Sequence, residues 1–512
     1  MKKIITFIIV FIITISAYCN KTSYNDKTKY IHKDKIVFVP LDTRPVSLQN
    51  VEILSKAGGY ELLVPPFDSL DNYIKPGNQD KLYDWLQGVV VRPDVYAVVI
   101  STNQFISGGL IASRNYKNVT GYKKAINKLK NIINLSRDKK CILISIMPRV
   151  SNTLEEQDTV YAANSLNIGY FNAIKTDILS NNMSDIEGLK SRMPSNLFNY
   201  MYVIAQEAVI NYEIASGLKS NAILTIGIDD TTMKSMLNYA YDDLKKNGIK
   251  KYKNIYMLHG ADEISLMTIA KLANGNQQAK PSFEIAYEKH WDDRMNLPYE
   301  GGTLKEITEE KIHYIGGDIE KDAKNIIYIH SNKDSGITIN SIINTRKKKN
   351  QNLGIADVAM TNGGDPHLVE EILTNDNFKK IDAYSGWNTP SNTIGTVISE
   401  LSIKSNLDTV KDKKIYNERD KAYLTFLFIR YADDYIYQSI VRNEMYKWAQ
   451  SQGEDKYNLK NTNEADSVLQ QKMNPYFDRL IDIFNRNTIL RIKKAKAVFP
   501  WNRMFEIKVE AE

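Results

Sequence analysis

Short apolar runs rich in β-branched residues alternate along this chain with longer stretches whose apolar residues recur at helical spacing. The runs KIVFVPL (35–41), YELLVP (60–65), VYAVVIS (95–101), CILISIM (141–147), AILTIGI (222–228) and NIYMLHG (254–260) read as strands. They have strand length, and their near-continuous apolar character fits strands buried on both faces. QDKLYDWLQG, GYKKAINKLKNIINL and PSNLFNYMYVIAQEAVINYEIASG, which lie between them, read as crossover helices. This alternation predicts an α/β fold with a parallel sheet or barrel-like N-terminal domain over residues 35–274.

A second α/β series follows ANGNQQAKP, with strands expected at FEIAY (283–287), KIHYIG (311–316), NIIYIH (325–330), IADVAMT (355–361) and IDAYSG (381–386). It predicts a second α/β domain over 275–403. From 404 to 512 the pattern is that of a helical C-terminal region closing in the strand-like MFEIKVE. The aromatics of DKAYLTFLFIRYADDYIYQSIVRNEMYKWAQ recur at helical spacing, the mark of core packing. A chain of 512 residues is long enough for two or three domains of ordinary size.

The N-terminus changes the picture of where the protein works. MKKIITFIIVFIITISAYCN combines Lys2 and Lys3, an apolar run from Ile4 to Ile15 and small residues before Cys19. That is the anatomy of a signal peptide, placed at residues 1–18, and it predicts a secreted or cell-envelope protein. Cys19 admits a lipid anchor to the membrane as one outcome and free secretion as the other. Cys141, the only other cysteine, sits in a strand, so no intramolecular disulfide is expected. The formal charge of +7 falls to +5 without Lys2 and Lys3, and no basic cluster alternates with aromatics. Nucleic acid is therefore disfavoured as a partner.

In parallel α/β folds ligands sit at the carboxyl ends of the strands. There this chain carries PLDTRPV, STNQFISGGLIASR, MPRVSNTLEEQD, GIDDTT, HGADE, TNGGDPH and SGWNTPSNT. Carboxylates, amides and an aromatic ring at one edge suit a polyhydroxylated, carbohydrate ligand. Asp42 and Arg44, two apart between Pro40 and Pro45, project to the same side, either as a loop clamp or as a substrate-orienting pair. Asp229 and Asp230 are adjacent, and in extended geometry they point to opposite sides. One is expected to cap the next helix while the other, taken as Asp230, faces the pocket; the alternative is that both serve capping.

A partner carboxylate would come from HGADE, as Asp262 or Glu263. Two carboxyls across a pocket are what acid–base hydrolysis of a glycosidic bond requires. The catalytic candidates are thus Asp230, Glu263 and Asp262. Those for substrate binding are Asp42, Arg44, Asn103, Gln104, Asp229, Asn362, Asp365, Trp387 and Asn388. Trp387 is read as a surface ring offered to a sugar face, with a plug between domains as the alternative. No phosphate loop, dinucleotide fingerprint, nucleophile elbow or zincin helix is present, so no nucleotide or other cofactor is expected. A divalent metal held by His259, Asp262, Glu263 and Asp230 stays open as a rival.

Taken in order, PLDTRPV, SGGLIASR, GIDD, HGADE, ADVAMTNGGDPHLVEEIL, AYSGWNTPSNTIGTVISE and FPWNRMFEIKV resemble the bacterial domain-of-unknown-function family 4127 over roughly residues 35 to 510. The resemblance implies shared architecture and brings no reaction with it. The expectation from the residues is an exported carbohydrate-active hydrolase, a glycoside hydrolase using strand-end carboxylates. The rivals are a non-catalytic, envelope-associated glycan or solute-binding protein and a metal-dependent hydrolase or isomerase.

Overall fold

The computed structural model describes residues 34–115, 121–151, 153–276, 280–289, 292–334, 336–346 and 350–512. The expected signal peptide and Cys19 lie outside the described residues. The first series of runs forms β1 (Lys35–Val39), β2 (Glu61–Leu63), β3 (Val95–Ser101), β4 (Lys140–Met147), β5 (Ala222–Ile228) and β6 (Ile255–His259). They make one parallel sheet in the order β2-β1-β3-β4-β5-β6. The sheet is open, with β2 and β6 as its edges, so the barrel-like alternative does not apply.

β7 (Ser282–Tyr287), β8 (Asp318–Ile319), β9 (Asn325–His330), β10 (Asn352–Asp357) and β11 (Ala383–Ser385) form a second parallel sheet, ordered β11-β10-β9-β7-β8. Both sheets reverse direction after their second strand, so they share one doubly wound order. An antiparallel pair, β12 (Ala495–Val498) and β13 (Lys508–Ala511), ends the chain.

The period-2 alternation of side chains divides the interior into three layers. Val37, Val39, Val98, Ile100, Leu224 and Ile226 face an outer helical layer that includes Ser195–Ser216. Ile36, Phe38, Val99 and Ile144 face the other way, into a core that also receives Ile327, Ile329, Ala356 and Ala383 from the second sheet. The opposite face of that sheet, Ile326, Tyr328, Leu353, Ile355 and Tyr384, packs on the C-terminal helices. The two sheets therefore share one middle layer of helices.

At the centre of that layer is the helix Pro390–Leu407, in which Ile394, Val397, Ile398 and Leu401 are all fully buried. With sheet on one side and helices on the others, it buries its polar residues, among them Asn392, Thr396, Ser399 and Glu400, along with its apolar ones. Two of its hydroxyls are satisfied within the helix, Thr396 Oγ1 donating to the Asn392 carbonyl and Ser399 Oγ to that of Gly395, each at 2.7 Å, while Ser402 Oγ donates to Asn274 Oδ1 at 2.9 Å on the neighbouring helix.

Two boundaries differ from the sequence reading. Residues 311–316, expected as a strand, lie mostly in the helix Leu304–Tyr314. A capping box formed by Thr303 and Glu306 starts it, and Leu304, Ile307, Lys311 and Ile312 recur at helical spacing on its buried side. The run 355–361 leaves the sheet at Asp357, two residues into the expected strand, since β10 begins earlier at Asn352. The aromatics of the long C-terminal helix are core, with Tyr423, Phe426, Phe428, Tyr431 and Tyr437 buried. Among the described residues no helix is long and apolar enough to cross a membrane.

The shared layer predicts that neither sheet unfolds alone. Leu401→Ala should cost about 2–5 kcal/mol, as for a buried leucine whose site cannot collapse. Hydrogen exchange should lose protection equally in β4 and β9; a loss confined to one sheet would show that the layers melt independently.

Candidate active site

The loop after β1 opens the site. Asp42 accepts hydrogen bonds from the Arg44 backbone N–H at 3.1 Å, from Nε at 2.9 Å and from Nη2 at 2.7 Å. The same guanidinium donates through Nη1 and Nη2 to Asp262, at 3.1 and 2.7 Å, from the loop after β6. All three residues are buried. Arg44 is thus a bridge between two carboxylates, and its planar fork fits both at once.

The chain turns as soon as β5 ends at Ile228. Asp229 Oδ1 accepts from the N–H of Asp230 at 2.9 Å, while Oδ2 accepts from Arg114 Nη2 at 2.8 Å and from the Arg149 backbone at 3.1 Å. Asp230 Oδ2 pairs with Arg149 Nη1 at 2.9 Å, and its Oδ1 has no protein partner among the described residues. The expectation that the two aspartates point to opposite sides is corrected here: both line one cleft. The backbone bends at this pair instead of staying extended, and the next helix, Met236–Asp243, is capped by Ser235.

The environments of these acids differ. Burial pushes Asp229 up, but Arg114, Arg149 and two backbone N–H groups outweigh it and hold the carboxyl below the usual range. Burial also pushes Asp230 up; Arg149 opposes this only in part, the charges of Asp229 and Asp262 add to it, and the result is about 7. Asp262 is raised as well, chiefly by burial, with Arg44 opposing and Asp42 reinforcing.

These groups form the floor of a cavity of about 490 Å³ at the carboxyl edge of the first sheet. Asn388, just beyond β11, and Tyr457, Arg503 and Phe505 from the C-terminal region supply its far wall. Asn388 has a positive φ of 54°, and its carbonyl accepts from the N–H of Asn362 at 2.8 Å. Arg503 is locked in a bidentate pair with Glu506 at 2.8 and 2.7 Å and lies over the ring of Trp501 at 4.8 Å.

Of the residues expected from the sequence, Arg44, Asp229, Asp230, Asp262 and Asn388 meet in this cleft, with Asp42 directly behind Arg44. The others do not line it. Glu263 is fully buried beneath, where Oε1 pairs with Lys311 Nζ at 2.5 Å and Oε2 accepts from the Ala261 N–H at 3.1 Å. His259 turns to Glu310 at 3.1 Å, so the residues considered for a metal diverge. Among the described residues no three His, Cys, Asp or Glu side chains converge to hold a metal ion.

Asn103 bridges to β4 through both the N–H and the carbonyl of Ile146, each at 2.8 Å, and Gln104 is fully buried beside Asp71. Asn362 braces Asn388, and Asp365 pairs with His330 Nε2 at 3.0 Å. Trp387 is 1% exposed, which corrects the expectation of a surface ring. It packs edge-on behind Phe505 with ring centroids 6.0 Å apart, and so backs the cleft wall.

Sequence reasoning did not single out Arg114, Arg149, Tyr457, Arg503 or Phe505. The first two stand at the ends of strand-end stretches already read as edge loops, SGGLIASR and MPR. Each adjacent acid needs a cation, and that was the available signal. The sequence model of a family described as "Protein of unknown function (DUF4127)" matches residues 36–510, and the chain belongs to that family. No curated protein matches the chain.

Burial raises several carboxyls at once: Asp71 and Glu207 to about 8, Asp230, Glu300 and Asp433 to about 7, and Asp357 to about 6. Above the ordinary carboxylate range and up to these values, the folded protein holds protons that the unfolded chain has lost. Stability must then fall as pH rises through that window. The urea midpoint should be higher at pH 5 than at pH 8, and a midpoint that rises with pH would contradict the assignment.

Proposed function

We propose that the protein is an exported carbohydrate-active hydrolase, a glycoside hydrolase in which Asp230 is the proton donor. The observation that carries this reading is the state of Asp230: it lines the cleft, one oxygen is anchored by Arg149, the other accepts no hydrogen bond among the described residues, and the group is raised to about 7. A carboxyl so placed keeps its proton near neutral pH and can deliver it to a leaving oxygen. Asp262 is its counterpart on the loop after β6. Bidentate contact with Arg44 orients Asp262, and its raised basicity suits it to receive a proton from water. Asp229, held ionised by Arg114 and Arg149, adds fixed negative charge near the positive charge that develops at the anomeric carbon. Export rests on residues 1–18; recovery of envelope protein that still begins at Met1 would count against cleavage.

A second reading, a non-catalytic glycan-binding protein, is favoured by the engagement of both oxygens of Asp229 and of Asp262 in protein contacts, which leaves one free carboxyl oxygen among the described residues that line the cleft. A glycan panel separates the two. As a hydrolase, the protein should turn over a panel member with kcat/KM declining above about pH 7, as expected of a general acid. Asp230→Asn should lower kcat by at least about 10²-fold without lowering the melting temperature. Near-wild-type turnover in that variant sinks the assignment of Asp230, while saturable binding with no turnover of any glycan supports the binding protein.

A further inference from the structure

Four guanidinium groups line the cleft, and they are not equally occupied. Arg44 spends Nε, Nη1 and Nη2 on Asp42 and Asp262. Arg503 spends Nε and Nη2 on Glu506. Among the described residues Arg114 has only its Nη2 contact with Asp229, and its Nε is buried without a hydrogen-bond partner. Arg149 gives one side-chain nitrogen, Nη1, to Asp230. The side chains of Arg114 and Arg149 are 28% and 30% exposed, and both line the cleft. Buried guanidinium donors are costly to leave unpaired. Two cations side by side with spare donors call for an acceptor that comes with the ligand.

The geometry points to a carboxylate on that ligand: the substrate is a glycan containing uronic acid, whose carboxylate is taken by Arg114 and Arg149. This rests on the carbohydrate reading of the cleft and deepens it. The planar fork of a guanidinium pairs with the two oxygens of a carboxylate. The charge count selects a monoanion. When Asp230 holds its proton, Asp229, which accepts from the Arg114 guanidinium and from the Arg149 backbone N–H, is the one ionised carboxylate among the described residues in contact with this pair, so two positive charges face one negative charge. A single added charge balances them, whereas a phosphate dianion would exceed the balance by one charge. The apolar side of the sugar meets Tyr457 and Phe505 on the far wall, which is the usual complement to polar recognition of a pyranose ring.

The test is calorimetric titration of the full mature chain with oligogalacturonate and oligoglucuronate, with the methyl esters of the same oligosaccharides, with a neutral maltooligosaccharide and with a sulfated one. At least one uronate should bind at least about tenfold more tightly than its ester, in line with a charge-assisted pair. The preference should shrink to near unity in Arg149→Gln and in Arg114→Gln, and be partly restored in Arg149→Lys. Equal affinity for acid and ester on the wild-type protein overturns the inference without recourse to any variant. Tighter binding of the sulfated oligosaccharide overturns the carboxylate, as does failure of every acidic sugar to bind. Turnover of a neutral glycan with no gain from a carboxylate overturns the inference and leaves the hydrolase standing. Ester-sensitive uronate binding without cleavage supports the inference and overturns the hydrolase.

Discussion

The buried guanidinium of Arg44 is the constraint on which the site depends. An arginine cannot shed its charge when removed from water, so it must carry its counter-charges in with it. Asp42 comes from the same loop and Asp262 from the loop after β6, four strands away in the sheet order. Their joint contact with one cation draws the two loops over the carboxyl edge of the sheet and fixes the floor between them. Thr43, between the partners, gives its N–H to Asp71 at 3.0 Å and receives the indole N–H of Trp501 at 2.9 Å. Three consecutive residues thereby tie β1, the segment after β2, the β6 loop and the C-terminal region together. Loss of one member would leave the others charged and buried, the costly way to break such a group.

A second buried network runs down from that floor into the middle layer. Adjacent residues go opposite ways here: Asp262 meets Arg44 at the cleft, and Glu263 meets Lys311 below it. Lys311 also donates to the carbonyl of His259 at 2.5 Å, fixing the end of β6 to the helix Leu304–Tyr314. Glu300 accepts from the Ser391 N–H at 2.7 Å and from its hydroxyl at 2.6 Å, at the positive end of the central helix. The helix that joins the two sheets is thus held by a carboxylate that belongs to neither sheet. Burial and the two Ser391 hydrogen bonds act on Glu300 in opposite directions, and burial prevails.

The sheets were legible in the sequence because strand length and apolar continuity are local properties. VYAVVIS and AILTIGI coincide with β3 and β5, and NIIYIH with β9. The strand-end rule also led to the edge at which Arg44, Asp229, Asp230, Asp262 and Asn388 line one cleft. What failed needed knowledge of partners. KIHYIG is as apolar as a strand, but the capping box that begins upstream at Thr303 decides its fate. Glu263 looked equivalent to Asp262 until Lys311, distant in sequence, claimed it. Trp387 looked exposed because nothing local shows that Phe505, far along the chain, packs against it. Arg114 and Arg149 reach the cleft from loops whose course no spacing rule gives.

The far wall explains why so much of the chain is needed for one cleft. The first sheet alone supplies every ionised group of the floor, yet a floor open to water would leave those charges screened and weakly interacting. Asn388 arrives only because the second sheet is fixed through the shared helical layer, and Phe505 only because Trp387 stands behind it. Arg503 then closes the remaining side, its charge cancelled by Glu506 so that it adds rigid cover without competing for the acids. The family match from residue 36 to 510 has the same extent as this set of dependencies, from the strand before Arg44 to the strand after Phe505. The low-dielectric setting that raises Asp230 is therefore a property of the whole assembly: removing any wall would return that carboxyl toward its ordinary range even with Arg149, Asp229 and Asp262 in place.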